Sequence, residues 1–353
     1  MKRNNIFTLS FLFFLVLSSF LIPKSDNSVS ISNYVVFGYD SNVSKISDSE
    51  DIGFNNSSYV TYRPTLKAAV NIFKRKTRIS ISGKFNHYYD VPEKSNNGFY
   101  LSVNQSIGNY QSLKFYHAYI KDIYIRMYDD LDNLVTDELY LGSDCYFDLI
   151  KFKISYESPY IGEKDKIELS IYNELQYYSP EFTEYDLNIL GFEGKVFTKQ
   201  SHNRYSASVG YAKADSLYSH NHHLLSGDFE GNSLRLVDRS YEEVSMKFSY
   251  DMPLEHKKVL GFSLSKKQRK YLSNNDYIVG NNIIVDELHK YRKHRDFTFN
   301  LWYTFLNGNK KNKILLSYRE KITSSPFSWV EDLKSFSKFN LYYTVYFNKI
   351  KLN

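Results

Sequence analysis

A chain of 353 residues with a formal net charge of +6 is long enough for one large domain or two average ones. Aromatic residues make up 17% of it and charged residues 24%, with a single long apolar run, which excludes a polytopic helical membrane protein. Cys145 is the sole cysteine, so no disulfide scaffold can form within the chain, and the basic residues gather in tight turns rather than along a helix or an aromatic groove, which argues against nucleic acid as a partner.

The apolar run comes first. Lys2 and Arg3 precede the stretch Ile6 to Ile22, which Pro23 and Lys24 break. This is the layout of a secretory signal peptide, assigned to residues 1–28; no A-x-A cleavage site follows it, and a retained anchor is the alternative. Residues 29–353 are expected to form one β domain. Ile31 to Asn42 holds a first strand that leaves through Tyr39-Asp40-Ser41-Asn42-Val43, where an Asx turn is the plainest interpretation.

From Tyr59 onward, strand candidates come in pairs joined alternately by short basic turns and longer loops. The second ends at Phe73 and turns at Lys74, Arg75 and Lys76. The third sets Ile79, Ile81, Gly83 and Phe85 against Arg78, Ser80, Ser82 and Lys84, and the fourth sets Phe99, Leu101 and Val103 against Tyr100, Ser102 and Asn104. The fifth, Leu113 to Tyr128, puts His117 and Lys121 on the face of Phe115, Ile123 and Ile125, which calls for a bulge or a rim position. After an acidic loop over Asp129 to Glu138, a sixth from Leu139 to about Tyr156 groups Leu141, Cys145, Phe147 and Leu149, making Cys145 a small lipid-facing hydrophobe. The seventh sets Ile167, Leu169, Ile171 and Leu175 against Glu168, Ser170 and Glu174. An eighth spans Leu187 to Thr198, and a ninth carries Tyr205, Ala207, Val209 and Tyr211. The tenth sets Val244, Met246, Phe248 and Tyr250 against Glu243, Ser245, Lys247 and Ser249. The eleventh ends near Tyr271, the twelfth carries Phe297, Phe299, Leu301, Tyr303 and Phe305, and the thirteenth spans Ile314 to Thr323 after the turn Asn307-Gly308-Asn309.

With the last strand that makes about fourteen, an even number. The expected fold is all-β: a closed antiparallel transmembrane β-barrel, because in lipid only a helix or a closed sheet pairs every backbone group. A soluble β-sandwich is the competing fold. It is disfavoured because large apolar side chains fall repeatedly on one face while the other carries charge, leaving no second apolar face to pack against.

The last strand alternates Phe339, Leu341, Tyr343, Val345 and Phe347 with Asn340, Tyr342, Thr344 and Tyr346. It resembles the C-terminal closing strand of Gram-negative outer-membrane β-barrels, which in that family carries the signal read by the barrel-assembly machinery. Here it departs from the pattern, since Asn348 to Asn353 follow the final aromatic. The Tyr39-Asp40-Ser41-Asn42-Val43 run is similar to the opening of several such barrels. The resemblance implies localisation in the cell outer membrane, with outer-membrane lipid, lipopolysaccharide and the assembly machinery as partners, and leaves a homo-oligomer open. Basic short turns and acidic long loops, the latter including Asp48, Asp132, Glu181, Glu184 and Glu331, suit the same orientation; the carboxylates are read as solvating the loops.

Arg78, Lys84, Glu168, Glu174, Glu243, Lys247, Arg319 and Lys321 fall on the expected inward faces and would line a lumen. The densest cationic cluster joins Lys266, Lys267, Arg269 and Lys270 to Arg292, Lys293, His294 and Arg295; it would either favour anions in a pore or meet lipid phosphates at the rim. Ser219-His220-Asn221-His222-His223, with Ser226 and Asp228, is the most enzyme-like stretch, and a polar surface loop is its plainer interpretation. The leading function is a channel for small hydrophilic solutes or for polymer export, without cofactor, metal or covalent chemistry. A structural or adhesive barrel with a closed lumen comes second, and an outer-membrane lipid hydrolase third.

Overall fold

The computed structural model of the chain describes residues 28–45, 56–72, 74–128, 143–160, 165–179, 185–217, 238–255, 257–273, 276–279, 282–285, 287–308, 310–347 and 349–352. The signal segment, the acidic loop over Asp129 to Glu138 and the Ser219 to Asp228 stretch lie outside them. The strands are β1 Ser28–Asp40, β2 Ser57–Ile72, β3 Arg75–Tyr88, β4 Asn96–Ser106, β5 Ser112–Tyr128, β6 Ser143–Pro159, β7 Lys166–Tyr178, β8 Leu187–Gln200 and β9 Asn203–Ser216. They continue with β10 Tyr241–Leu254, β11 Lys258–Tyr271, β12 Asp276–Val279, β13 Asn282–Val285, β14 Lys293–Asn307, β15 Lys310–Ser324, β16 Phe336–Tyr346 and β17 Ile350–Leu352; a short helix α1, Ser328–Lys334, precedes β16.

Each of the fourteen long strands pairs antiparallel with its chain neighbour, β11 pairs with β14 past the small β12–β13 hairpin, and β1 pairs with β16 to close the ring. Six short connections leave one end and seven longer ones the other, as the alternation in the sequence predicts. Several short turns are made by single residues in the left-handed region, Lys74, Ser201, Lys257 and Gly308. That is the backbone a tight hairpin needs to match strand twist.

Paired residues share a face, so the register fixes which side of the wall each row occupies. One row runs Ile154, Ile171, Phe192, Tyr211, Val244 across five strands. It is open to the surroundings, with Ile171 64% and Phe192 57% exposed. The adjacent row on the other face reads Ser155, Ser170, Glu193, Gly210, Ser245. Large apolar side chains outside and hydroxyl or charged ones inside invert the order of a water-soluble fold; a contiguous apolar patch of this extent is unsuited to water. Hydrocarbon is the solvent that matches it, and the ring leaves no strand edge unpaired there.

The seam between first and last strands is pinned at its long-loop end by polar contacts. Asp40 accepts the backbone N–H of Asn42 at 3.1 Å, the Asx turn expected there, and pairs with Lys338 of β16 at 2.7 Å. Asn42 Nδ2 donates to the Ser337 carbonyl at 3.1 Å, and the Ser41 N–H to the Phe339 carbonyl at 3.0 Å. At the other end the residues after Phe347 continue the seam: β17 pairs with Val29 to Ile31, one residue out of phase with β16, as a bulge requires. The added tail thus lengthens the closing edge. Close packing inside the wall depends on glycine at Gly38 and Gly191, where a Cβ would sit 2.3 Å from the rings of Tyr59 and Tyr172.

Two sequence expectations change. Cys145 is 2% exposed and lies on the lumen side with Phe147 and Tyr178, because the outward residues of β6 are Ile150, Phe152, Ile154 and Tyr156. The apolar character of Phe147 and Leu149 hid the phase: both alternate with the outward set and share a face with Lys151 and Lys153. In β5, His117 stays outward, stacked at 4.6 Å on Phe152, and Lys121 pairs with Asp122 at 3.1 Å. Register shifts after Ile120 and Tyr124 then bring Ile125 inward against the Cys145 and Tyr178 cluster.

The Asp40–Lys338 pair is nearly buried, so removing one partner strands a charge. Asp40→Ala is expected to cost about 3 kcal/mol, and the paired change Asp40→Asn with Lys338→Gln distinctly less, read from urea unfolding midpoints in detergent micelles. Equal midpoints for wild type and Asp40→Ala would show that the seam does not need this contact.

Candidate functional site in the lumen

The inward face of the barrel is a network of opposite charges. The register places Arg78 and Lys84 of β3, Glu168 and Glu174 of β7, Glu243 and Lys247 of β10, and Arg319 and Lys321 of β15 opposite the apolar face. Several are joined by ion pairs. Lys114 bridges Glu157 at 2.5 Å and Glu168 at 2.7 Å, and Glu157 also holds Lys166 at 2.9 Å. Lys151 pairs with Glu174 at 3.0 Å and Lys153 with Glu193 at 2.9 Å. Across β10 and β11, Glu243 accepts from Arg269 at 2.8 Å and faces Lys267 at 3.4 Å; Arg319 Nε donates to Asp296 at 3.0 Å. Strand alternation at matched register sets these partners on one face, where they meet across neighbouring strands or, for Lys114 with Glu168 and Lys153 with Glu193, across one intervening strand.

Toward the long-loop end the lumen changes character. Tyr271, the last residue of β11, faces inward beside Tyr241 at a ring separation of 5.7 Å. The connection from β11 to β14 is tied at its two ends by the Tyr271 N–H, which donates to the Arg292 carbonyl at 2.9 Å. Three guanidinium groups stack on this aromatic cluster: Arg269 over Tyr241 at 3.7 Å, Arg292 over Tyr271 at 3.9 Å, and Arg239 between Tyr178 at 4.9 Å and Tyr185 at 5.0 Å. Cation–π contacts of this kind strengthen as water is excluded. His289, 1% exposed, sits against Tyr185 and Tyr271. An apolar cluster of Leu187, Ile189, Ala212 and Ala214 backs the tyrosines. Arg292 is 3% exposed and its Nε has no hydrogen-bond partner among the described residues.

The register divides the cationic cluster seen in the sequence. Lys267, Arg269 and His294 are inward, and Arg292 joins them at the mouth; Lys266, Lys270, Lys293 and Arg295 share the outward face with Leu264 and Phe297. Four of the eight thus lie on the lumen side and four on the outward face. Arg239, Tyr178, Tyr185 and His289 were invisible as site residues in the sequence, because they come from the end of β7 and from three separate connections, which no single stretch of sequence places together. Phe339, Leu341 and Tyr343 of β16 face outward, in line with Val345 and Phe347. Among the described residues no group of His, Cys, Asp and Glu is arranged to hold a metal ion.

No protein-family model matches the chain, and no curated protein matches it. Solved structures do. The anion-selective porin from Comamonas acidovorans is 8% identical over 93% of this chain and 100% of its own, at a TM-score of 0.42. OprD of Pseudomonas aeruginosa is 8% identical over 93% and 96%, at 0.39. The translocator domain of the autotransporter NalP from Neisseria meningitidis is 12% identical over 98% and 96%, at 0.34. At these identities and scores the likenesses carry no weight for function.

His289 belongs to a loop outside the strands. Burial first, then the positive charges of Arg292 and Arg239, hold its imidazole well below the usual histidine value. The folded loop thus keeps a neutral imidazole while the unfolded chain takes up a proton below about pH 6.5. Stability should be flat above that pH and fall below it, by up to about 1.4 kcal/mol per unit. Urea midpoints at pH 7.5 and 5.5 should therefore separate more for the wild type than for His289→Gln; equal separations would contradict this.

Proposed function

We propose that this protein is an outer-membrane barrel whose lumen passes small hydrophilic solutes, with a preference for anions set at the long-loop mouth. The observation that carries this is the gathering of Arg239, Arg269 and Arg292 on the ring faces of Tyr178, Tyr185, Tyr241 and Tyr271. Glu243 pairs with Arg269 within this group. A positive cluster beside a low-dielectric passage concentrates anions and repels cations. Below it, the belt of ion pairs offers a hydrated wall along which a polar solute can exchange hydrogen bonds, as transport without covalent chemistry requires. The signal-like segment at residues 1–28 and the final alternating strand support export and insertion in the outer membrane.

A second reading rests on the burial of the same cluster. Tyr241, Tyr271 and Tyr178 are all 5% exposed or less, which suits a mouth closed by its own loops in a structural or adhesive barrel.

Planar-bilayer recording separates the two. The channel reading predicts discrete conductance steps and, under a tenfold potassium chloride gradient, a reversal potential of the sign for chloride preference. Arg292→Gln with Arg239→Gln should move that potential toward zero by at least half. A protein that is folded by heat-modifiable gel mobility yet electrically silent would favour the closed barrel, and an unchanged reversal potential in the double variant would remove the arginines from selectivity.

A further inference from the structure

The outward half of the cationic cluster has a geometry that a bare protein surface would avoid. Lys270 of β11 lies directly opposite Lys293 of β14, and Arg295 lies two residues along the same face of β14, opposite Gln268. Lys266 is two pairs further down, opposite Phe297. Like charges directly across an antiparallel pair destabilise it. Carboxylates are near, but on the flanks: Glu242 is opposite Lys270 from β10, and Glu320 is opposite Phe297 from β15. None of the four cations makes an ion pair among the described residues, whereas Lys213, further along the same rim, is taken by Asp215 at 3.0 Å. The patch sits on the long-loop end, and its neighbours on the same face are Leu264, Phe297 and Ile322, each more than a third exposed. A cationic group that begins where the apolar belt ends faces the level at which lipid headgroups lie.

We propose that Lys266, Lys270, Lys293 and Arg295 form a binding site for a phosphorylated lipid of the outer leaflet. Two phosphates carried on one glycolipid headgroup would bridge the opposed Lys270 and Lys293 and reach Arg295, whose planar guanidinium can hold a phosphate through two parallel hydrogen bonds. The acyl chains would lie down β11 and β14 over Leu264, Phe297 and Leu301. An anion between them converts the repulsion of the opposed lysines into attraction, so the lipid would also stabilise this part of the wall. The inference rests on the outer-membrane placement proposed above and not on conduction.

The test uses the refolded full-length barrel in detergent, with bis-phosphorylated lipid A as the probe. Binding is read by native mass spectrometry and by the shift in thermal unfolding, with lipid A stripped of its phosphates and inorganic phosphate as separate arms. The expected result is retention and a raised melting temperature with bis-phosphorylated lipid A alone. The triple change Lys270→Gln, Lys293→Gln and Arg295→Gln should weaken binding by about tenfold or more, while Lys121→Gln, an outward rim lysine elsewhere, should leave it intact. Equal binding by the triple variant, equal binding of the phosphate-free lipid, or an equal shift from inorganic phosphate would each overturn the site. Failure of the wild type to insert into phospholipid vesicles would instead overturn the membrane placement itself.

Discussion

Backbone hydrogen bonding in an apolar medium is the constraint from which the other features of this chain follow. A polypeptide that exposes rows such as Ile154, Ile171, Phe192 and Val244 to its surroundings must pair every donor and acceptor behind them. A flat sheet would leave two edges unpaired. The ring closed between β1 and β16 leaves none, and the polar clasp at Asp40, Asn42, Ser41 and Lys338 is placed where that closure begins.

Closure also creates the interior. Every strand that turns an apolar row outward turns its alternate residues inward, and fourteen strands bring those residues into one space. Several of their charges are matched, as in the Lys114, Glu157, Glu168 and Lys166 group, which lowers the cost of desolvating them, while Arg78, Lys84 and Lys247 make no ion pair among the described residues. At the mouth three arginines rest on tyrosine faces and Glu243 pairs with Arg269. The selectivity proposed for the channel comes from that local imbalance, and so does the closed-mouth alternative, since the same stacking fills space.

Much of the architecture was legible in the sequence because a barrel writes itself as period-two alternation. Strand number, the order of short and long connections, and the inward placement of Arg78, Glu168, Glu243 and Arg319 all follow from phase alone. Phase misleads where the polarity of the two faces reverses along a strand. Cys145, Phe147 and Leu149 were assigned to lipid because Asp144 and Asp148 alternate with them at that end of β6, the reverse of the polarity that Lys151 and Lys153 set against Phe152 and Ile154 further along, and two register shifts in β5 concealed the turn of Ile125 toward the lumen. The mouth was legible only in part. Arg269 and Arg292 stood out by charge density, but Arg239, Tyr185 and His289 lie in connections whose path no alternation encodes.

The claim beneath all of this is that lipid covers the outward rows and water reaches the inward ones. It is tested most directly by spin labels placed one at a time at Ile171, Phe192 and Val209, and at Ser170, Glu193 and Ser208, in a Cys145→Ser background reconstituted in phospholipid vesicles. The account predicts relaxation by oxygen at the first three positions and by a water-soluble nickel complex at the second three, alternating residue by residue. Labels at Ile171 and Phe192 that respond to nickel and not to oxygen would contradict it.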